Sequence, residues 1–441
     1  MAGRFRARQS SRKRCRHLHQ WCSHRTFWSQ ENTSALDHLA HGCIFIAFFA
    51  PNVSILFVGE LLCGLSWGVF TTMAPAYASE VTPVVLRGYL ETFVVLCWGI
   101  GQFISYGVLD GLVNSGGSLT AYAWRIPFAV QWVWPVIIIP LVIFCPESPW
   151  WLVRRDRIDE AEKSFKRLSS STDPNAARDA VALMVETTEL ERSMTEGANY
   201  HDCFRGDNLW RTEIGCVAWS SQVLVGFALS SYAAYFYEQA GLPAKDSYKM
   251  TVGQGGLHFA CTLCSVFLTG HVGRRKIFIY GCGGMALAMF IIGFISLAPP
   301  SQTIGYISSA IYLLWFSIYE LTIGPVAFIV VGETSSTRLR SKSIALGRNA
   351  YNVFSIISFT VAPYILNPTE GNWKGKSGFL AGGLCLLCGL WAFFRLPECK
   401  DRTYEELDIM FSRKLKAWEF QNYVIDHQVD IETKMNVEHQ E

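Results

Sequence analysis

Three carboxylic acids, Glu60, Glu91 and Glu320, stand inside long apolar stretches of this chain. A charge is costly in hydrocarbon, so an acid kept there is by default a functional residue. Glu60, in Gly59-Glu-Leu-Leu-Cys-Gly64, is a candidate to take up and release a proton. Glu91 lies near the end of its stretch, where simple solvation is the competing reading. Glu320, four residues before Gly324-Pro325, can serve either a polar ligand or a proton. A second set of charges is ordered by spacing: Glu80 and Arg87 are seven positions apart, and so are Glu333 and Arg340. Carboxylate and guanidinium groups at neighbouring helix ends can pair with bidentate geometry. A pairing that holds in one state and breaks in another is a two-state latch; ordinary charge at helix ends is the competing reading. Group-transfer chemistry, by contrast, is not legible. No nucleophile–base pair or phosphate-cradling loop is found, and Gly253-Gln-Gly-Gly256 falls within an apolar stretch. Cys261 and Cys264, like Cys385 and Cys388, have CxxC spacing but apolar neighbours, which suits packing better than zinc. An enzyme is therefore the least favoured class, and no cofactor, metal or nucleic-acid partner is expected.

The elements that must carry these residues are membrane helices. Half of the 441 residues are hydrophobic and only 17% are charged, against about 25% in an average soluble domain. Residues 126–145, 277–297, 303–318 and 379–394 contain no Asp, Glu, Lys or Arg, and about 20 apolar residues suffice to cross a bilayer. Ten spans are expected: 39–50 (the weakest), 53–75, 89–109, 126–145, 214–238, 250–270, 277–297, 303–331, 343–366 and 379–396. The connecting segments alternate in charge, and 33 of the 38 Lys and Arg residues fall on one side. The positive-inside rule makes that side cytoplasmic and places both termini there. The domain plan is a basic cytoplasmic tail over 1–38, a first helix bundle over 39–145, a cytoplasmic loop over 146–213, a second bundle over 214–396 and a cytoplasmic tail over 397–441. Within the loop, Ile158, Ala161, Phe165 and Leu168 recur at helical spacing and predict an amphipathic surface helix.

The chain repeats itself. Glu80 and Glu333 are 253 positions apart, as are Arg87 and Arg340, and Pro146-Glu147 recurs 251 positions on as Pro397-Glu398. Two halves in the same orientation are the plan of major facilitator transporters. The same offset places the counterparts of the second half's first two helices mostly before Met1, so ten helices are expected in place of twelve. The fold class is an all-α polytopic membrane protein, a major facilitator fold of two pseudo-repeated bundles.

The motifs carry a resemblance. Pro146-Glu-Ser-Pro-Trp-Trp-Leu152 resembles the PESPxWL signature of the sugar porter family of that superfamily. Gly273-Arg274-Arg275 resembles its GRR loop, and Glu80 with Arg87-Gly88 and Glu333 with Arg340 its ExxxxxxR motifs. Leu396-Pro-Glu-Cys-Lys-Asp-Arg-Thr403 with Glu405-Glu-Leu-Asp408 is similar to its PETKGRTxEELD tail. Closer still, Ala74-Pro-Ala-Tyr-Ala-Ser-Glu80, Ile126-Pro-Phe-Ala-Val-Gln-Trp-Val-Trp134 and Gln239-Ala-Gly-Leu242 resemble fungal maltose-type α-glucoside permeases, usually plasma-membrane proton symporters. The resemblance covers roughly residues 40–420. Gln222 and Gly226 resemble the family's QQxxG element, with Val223 in place of its second Gln.

The resemblance implies a carrier for a small sugar and protons, embedded in lipid, working by alternating access on an α-glucoside such as maltose or on a hexose. Sugar hydroxyls call for amides, carboxylates and aromatic faces. Gln102, Gln222, Tyr232 and Tyr235 (three turns after Gln222), Glu320, Phe328, Asn349 and Asn352 are the expected substrate contacts, with helix–helix hydrogen bonding the competing reading. Glu60 and Glu91 are the expected proton-coupling acids; the α-glucoside group resembles this chain in having an acid at position 60, where hexose carriers commonly place Arg. Glu80, Arg87, Glu147, Arg274, Arg275, Glu333 and Arg340 form the expected gating network. A non-transporting sugar sensor and an inactive truncated fragment remain the alternatives, and the oligomeric state is unknown.

Overall fold

The computed structural model describes residues 42–82, 84–114, 124–169, 175–195, 198–299, 301–336 and 338–423. All regular structure among them is helical. A short helix over 42–48 precedes α1 (Val53–Val81), α2 (Val84–Asn114), α3 (Arg125–Gln131), α4 (Val133–Phe144), α5 (Pro149–Arg154), α6 (Ile158–Leu168) and α7 (Ala176–Thr195). There follow α8 (Gly206–Gln222), a π-turn over Val223–Phe227, α9 (Ala233–Gln239), α10 (Ala244–His271), α11 (Arg274–Ile295), α12 (Gln302–Leu321), α13 (Ile323–Thr334), α14 (Arg340–Leu366), α15 (Ser377–Arg395) and α16 (Tyr404–Ser412). Helix starts follow local chemistry. The Asn52 side chain accepts from Ile55 N at 2.9 Å and opens α1 directly after Pro51. Ser148 caps α5, with Pro149 as its first residue. Thr403 and Glu406 form a reciprocal capping box at α16.

Seven helices among the described residues are long and apolar enough to cross a membrane: Val53–Ala78, Leu96–Asn114, Arg125–Phe144, Ala244–His271, Arg274–Ile295, Gln302–Thr334 and Lys374–Arg395. Their outward residues are apolar; Ile137, Leu141 and Phe144 on α4 and Leu386, Leu387 and Leu390 on α15 are all exposed. An apolar outer surface is the reverse of a water-soluble helix and fits lipid as the solvent. Of the other expected spans, 39–50 begins outside the described residues and holds only the 42–48 helix. The 214–238 segment is helical but interrupted, and 343–366 lies within α14.

The described residues form two compact units, one drawn from those within 1–94 and 118–193, the other from those within 95–117 and 194–441. In the first, the 42–48 helix buries Cys43 and Ile44 against Cys63 of α1, with Trp132 packed alongside. The amphipathic helix expected near 158–168 is α6; it closes with Trp151, Leu152, Val153 and Val181 around Ala161, which is fully buried. In the second unit a single core joins α8 to α16, with Tyr312, Trp315 and Phe316 fully buried at its centre. The closing segment docks on the start of α8. Trp210 meets Phe411 edge-on at 5.0 Å, Phe411 meets Phe420 at 5.1 Å, and the buried Arg211 pairs with Asp408 while its guanidinium lies 4.3 Å above the Phe411 ring. The second half of α2, from residue 95, groups with this second unit.

Two interruptions set up the interior of the second unit. Gly226 has φ +104°, a left-handed conformation open to glycine and strained for other residues, and it ends the first helix in a π-turn. The helical continuity expected from Gln222 to Tyr232 is therefore broken. One carbonyl of that turn, Val225 O, accepts from the Cys385 thiol at 3.5 Å, so at least one of the CxxC cysteines does more than fill space. The second interruption falls at Thr322, between α12 and α13. Pro325 has no N–H to give to the preceding turn and crowds its carbonyls, so α12 cannot run on through Gly324-Pro325. Irregular backbone at membrane depth is tolerated only where protein or a polar cavity surrounds it.

Candidate functional site

The two interruptions are tied together. Gln222, at the end of α8, donates from Nε2 to Gly324 O at 2.6 Å, at the start of α13. Gln222 is 5% exposed, so its amide serves the protein interior. Close by, Glu320 closes α12 and is 6% exposed, its Oε2 lying 3.6 Å from where a Cβ on residue 324 would stand. Trp219, one turn before Gln222, meets Phe328 edge-on at 5.8 Å.

A second set of polar groups approaches from α2 and α10. Gln102 donates from Nε2 to Tyr106 Oη at 2.9 Å, and its Oε1 faces His258 Nδ1 at 2.7 Å. The other imidazole nitrogen, His258 Nε2, is 3.5 Å from Glu320 Oε2. The two helices meet closely here, because a Cβ on Gly255 would lie 2.9 Å from Phe103 Cα. Gly255→Val is expected to force α2 and α10 apart and to cost about 1–3 kcal/mol. Thermal unfolding in detergent checks this; an unchanged midpoint would show the contact to be slack. Gln254, one position before Gly255, accepts from Tyr237 Oη at 3.4 Å, and Tyr237 packs edge-on to Tyr312 at 5.6 Å. Among the described residues, Gln254 Nε2, Tyr312 Oη and Trp315 Nε1 are buried without a hydrogen-bond partner. Buried polar atoms are normally paired, so this interior holds donor capacity beyond what the chain itself uses.

Of the expected substrate contacts, Gln102, Gln222 and Glu320 thus converge. Tyr232 and Tyr235 pack partly buried against the core near α9, whereas Asn349 and Asn352 are exposed on α14. His258, Gln254, Tyr312 and Trp315 were passed over in the sequence. For His258 and Gln254 the signal lies in the spacing of Ser247, Thr251, Gln254, His258, Thr262 and Ser265, a polar stripe on the buried face of α10.

The expected gating residues divide between the units. In the first, Glu80 accepts from Arg154 Nη1 at 2.6 Å and from the Ser148 hydroxyl. Ser148 Oγ also accepts from Trp151 N at 3.3 Å, so one hydroxyl both caps α5 and holds the acid. Arg87 and Glu91 lie on α2, but their side chains are outside the described residues. The Glu147 carbonyl accepts from Ser164, and Tyr77 Oη donates to Pro146 O at 2.7 Å, which holds the Pro-Glu-Ser-Pro turn in place. The partners Arg154 and Ser148 were not foreseen.

In the second unit Arg274 donates to Glu333 Oε1 from Nη2 at 2.8 Å and from Nε at 3.1 Å. Both bonds fall on one oxygen, unlike the two-oxygen fork expected. Glu398 accepts from the backbone N–H groups of Arg274 at 2.8 Å and Arg275 at 3.3 Å, satisfying the open end of α11. Its carboxylate occupies the space a Cβ on residue 273 would need, which accounts for glycine before the paired arginines. Arg275 donates to Phe393 O at 2.7 Å. Arg340 donates to Gly332 O at 2.6 Å and stacks over Tyr404 at 4.1 Å. The structure therefore joins Arg274 to Glu333 and sends Arg340 to backbone and ring.

Residues 38–411 match the profile of the Sugar (and other) transporter family. The chain belongs to that family. It is a multi-pass membrane protein with the major facilitator fold. Among solved structures, it superposes on the inward-open xylose transporter XylE from E. coli with a TM-score of 0.70 at 22% identity, covering 87% of this chain and 84% of that one. The proton:xylose symporter XylE bound to 6-bromo-6-deoxy-D-glucose gives 0.66 at 21% identity, over 88% and 85% of the two chains. Among curated proteins, maltose permease MAL31 of Saccharomyces cerevisiae is 37% identical over 390 residues. The general alpha-glucoside permease of the same organism is 35% identical over 388 residues. These alignments take in 87% of this sugar-transporter-family chain but 63% and 62% of the two permeases, so the chain spans less than two thirds of their length.

Proposed function

We propose that the protein carries an α-glucoside, maltose-like in size, across the plasma membrane together with a proton, by alternating access. The observation that carries this reading is the pair of interrupted helices stitched by Gln222 to Gly324 O, beside Gln102 and Glu320. Broken helices buried in a transporter interior are where such folds bind their cargo. Neutral amides suit a polyhydroxyl ligand, and the unpaired donors of Gln254, Tyr312 and Trp315 add to them. The names of the maltose and α-glucoside permeases support the substrate class. Tyr232, Tyr235 and Phe328 supply faces for the sugar ring, and Asn349 and Asn352 complete the site from α14. Glu60, partly buried in α1, and Glu91 exchange the coupling proton. Glu80 with Arg154, Glu147 and Arg87, and Arg274 with Glu333, Arg275 and Arg340, act as latches that release in turn. The excess of Lys and Arg on one set of loops supports cytoplasmic termini.

The test is uptake of radiolabelled maltose and glucose by a transport-deficient host, with and without a proton uncoupler. Maltose uptake abolished by the uncoupler is the expected result; uptake indifferent to it would overturn coupling, and no uptake from protein confirmed at the cell surface would overturn transport. Glu60→Gln is expected to abolish accumulation against a gradient while leaving maltose binding within about twofold, since a neutral amide preserves shape but cannot exchange a proton. Equal loss of binding and accumulation would assign Glu60 a structural role.

A further inference from the structure

Four side chains on three helices form a line through the interior of the second unit. Tyr106 Oη receives a hydrogen bond from Gln102 Nε2 at 2.9 Å, Gln102 Oε1 faces His258 Nδ1 at 2.7 Å, and His258 Nε2 faces Glu320 Oε2 at 3.5 Å. The side chains of His258 and Glu320 are 11% and 7% exposed. From α12 the Phe316 ring meets the imidazole edge-on at 6.0 Å, and from α2 Gly99 lies beneath it, where a Cβ would stand 3.1 Å from Cδ2. The other titratable groups that feel the Glu320 charge are Tyr106 on α2, Cys261 on α10 and Tyr319 on α12. All three are phenols or thiols, uncharged near neutral pH by their ordinary values. Arg348 on α14 lies over the rings of Trp219 and Tyr351. Among the described residues, the ion-pair partner of Glu320 is His258.

The charge count follows. With a neutral imidazole and an ionised carboxyl the pair carries one negative charge in an apolar interior, an arrangement that is costly without a cation. One added proton brings the net charge to zero, whether it rests on the carboxyl or on the imidazole. We infer that His258 and Glu320 together form a proton-binding site, and that Gln102 reports its occupancy to the sugar. This rests on the proposed contact between Gln102 and sugar.

The geometry supplies the link. Gln102 Oε1 is an acceptor, so Nδ1 carries a hydrogen and Nε2 is the nitrogen that shares the added proton with Glu320 Oε2. When that proton leaves for water, an imidazole still protonated on Nδ1 would set the Nε2 lone pair against a carboxylate. The favourable rearrangement moves the remaining hydrogen to Nε2, where it donates to Glu320. Nδ1 then becomes an acceptor, and the Gln102 amide must turn over to present Nε2–H to it. Tyr106 Oη changes at the same time from acceptor to donor toward Gln102 Oε1. Proton loss thus inverts the donor and acceptor that Gln102 offers a ligand.

The experiment uses the full chain purified into lipid nanodiscs. Maltose affinity is measured between about pH 5 and 8, and proton exchange on maltose addition is read with an indicator dye in weak buffer. The expected result is a change in Kd approaching about tenfold per pH unit at its steepest, with up to one proton exchanged per sugar. His258→Gln and Glu320→Gln should each flatten the slope, and the double variant should add nothing further. Either variant keeping the full wild-type slope would overturn the inference, as would wild-type protein that binds maltose without exchanging a proton. A separate arm needs no sugar. Infrared titration of ligand-free protein should show a carboxylic-acid band that Glu320→Gln removes and His258→Gln displaces. Absence of that band's dependence on position 258 overturns the site. Its presence in a protein that binds no maltose overturns the sugar reading alone.

Discussion

Replacing Asp408 with alanine is expected to destabilise the C-terminal unit by about 3–5 kcal/mol, the cost of stranding a buried charge. Arg211 is 6% exposed, and its guanidinium is held by the Asp408 carboxylate below and the Phe411 ring above. Removing the carboxylate leaves the cation in the same enclosure without its counter-charge. An apolar replacement of both partners behaves differently, because a buried ion pair contributes little beyond a well-packed hydrophobic pair. Arg211→Met with Asp408→Leu should therefore recover most of the loss. Unfolding midpoints in detergent, with Asp159→Ala on the exposed face of α6 as control, decide the matter. A midpoint for Asp408→Ala no lower than the control's would mean that water reaches Arg211.

Arg274→Ala is expected to lower maximal maltose uptake about ten- to a hundredfold while leaving maltose affinity nearly unchanged. The side chain makes two charge-assisted hydrogen bonds to Glu333 Oε1, and such bonds contribute about 1.5–3 kcal/mol. A latch of that strength present in one conformation and absent in the other shifts the balance between them by the same free energy. The proposed sugar contacts lie elsewhere, so affinity should be spared. Exchanging the charges, Arg274→Glu with Glu333→Arg, should restore part of the rate if attraction is what matters. Wild-type uptake by Arg274→Ala would remove the latch from the mechanism.

The sequence was most legible where one physical signal repeats. Apolar runs without charge gave the spans built on α3–α4, α11 and α15, and the amphipathic spacing at Ile158, Ala161, Phe165 and Leu168 gave α6. The offset that pairs Glu80 with Glu333 located an acid of each unit's charge cluster, but it was silent on partners. Arg154 and Ser148 reach Glu80 from a turn about 70 positions away, and Glu398 serves α11 from beyond α15. Such pairings depend on where tertiary structure brings chain ends, and no local pattern encodes them. The break at Gly324-Pro325 was readable because proline enforces it; the one at Gly226 was not, since glycine is common in membrane helices for packing reasons. His258 stands in a stripe of buried polar residues at helical spacing on α10, with Ser247, Thr251, Gln254, Thr262 and Ser265, and that period is the signal the apolar-run reading left unused. The role of His258 is visible only once Gln102 and Glu320 lie on either side of it.

The docking of the closing segment on α8 also has a meaning in time. Arg211 is separated from Asp408 by 197 residues, and a ribosome adds about 5–20 residues per second. For about 10–40 s of synthesis, then, α8 exists without the carboxylate and the Phe411 and Phe420 rings that will enclose Trp210 and Arg211. Nothing made in that interval can complete this enclosure, because residues 404–423 follow the last of the unit's long apolar helices, which ends at Arg395. Until residues 404–423 are made, the Arg211 charge has neither the carboxylate nor the ring that enclose it in the folded chain.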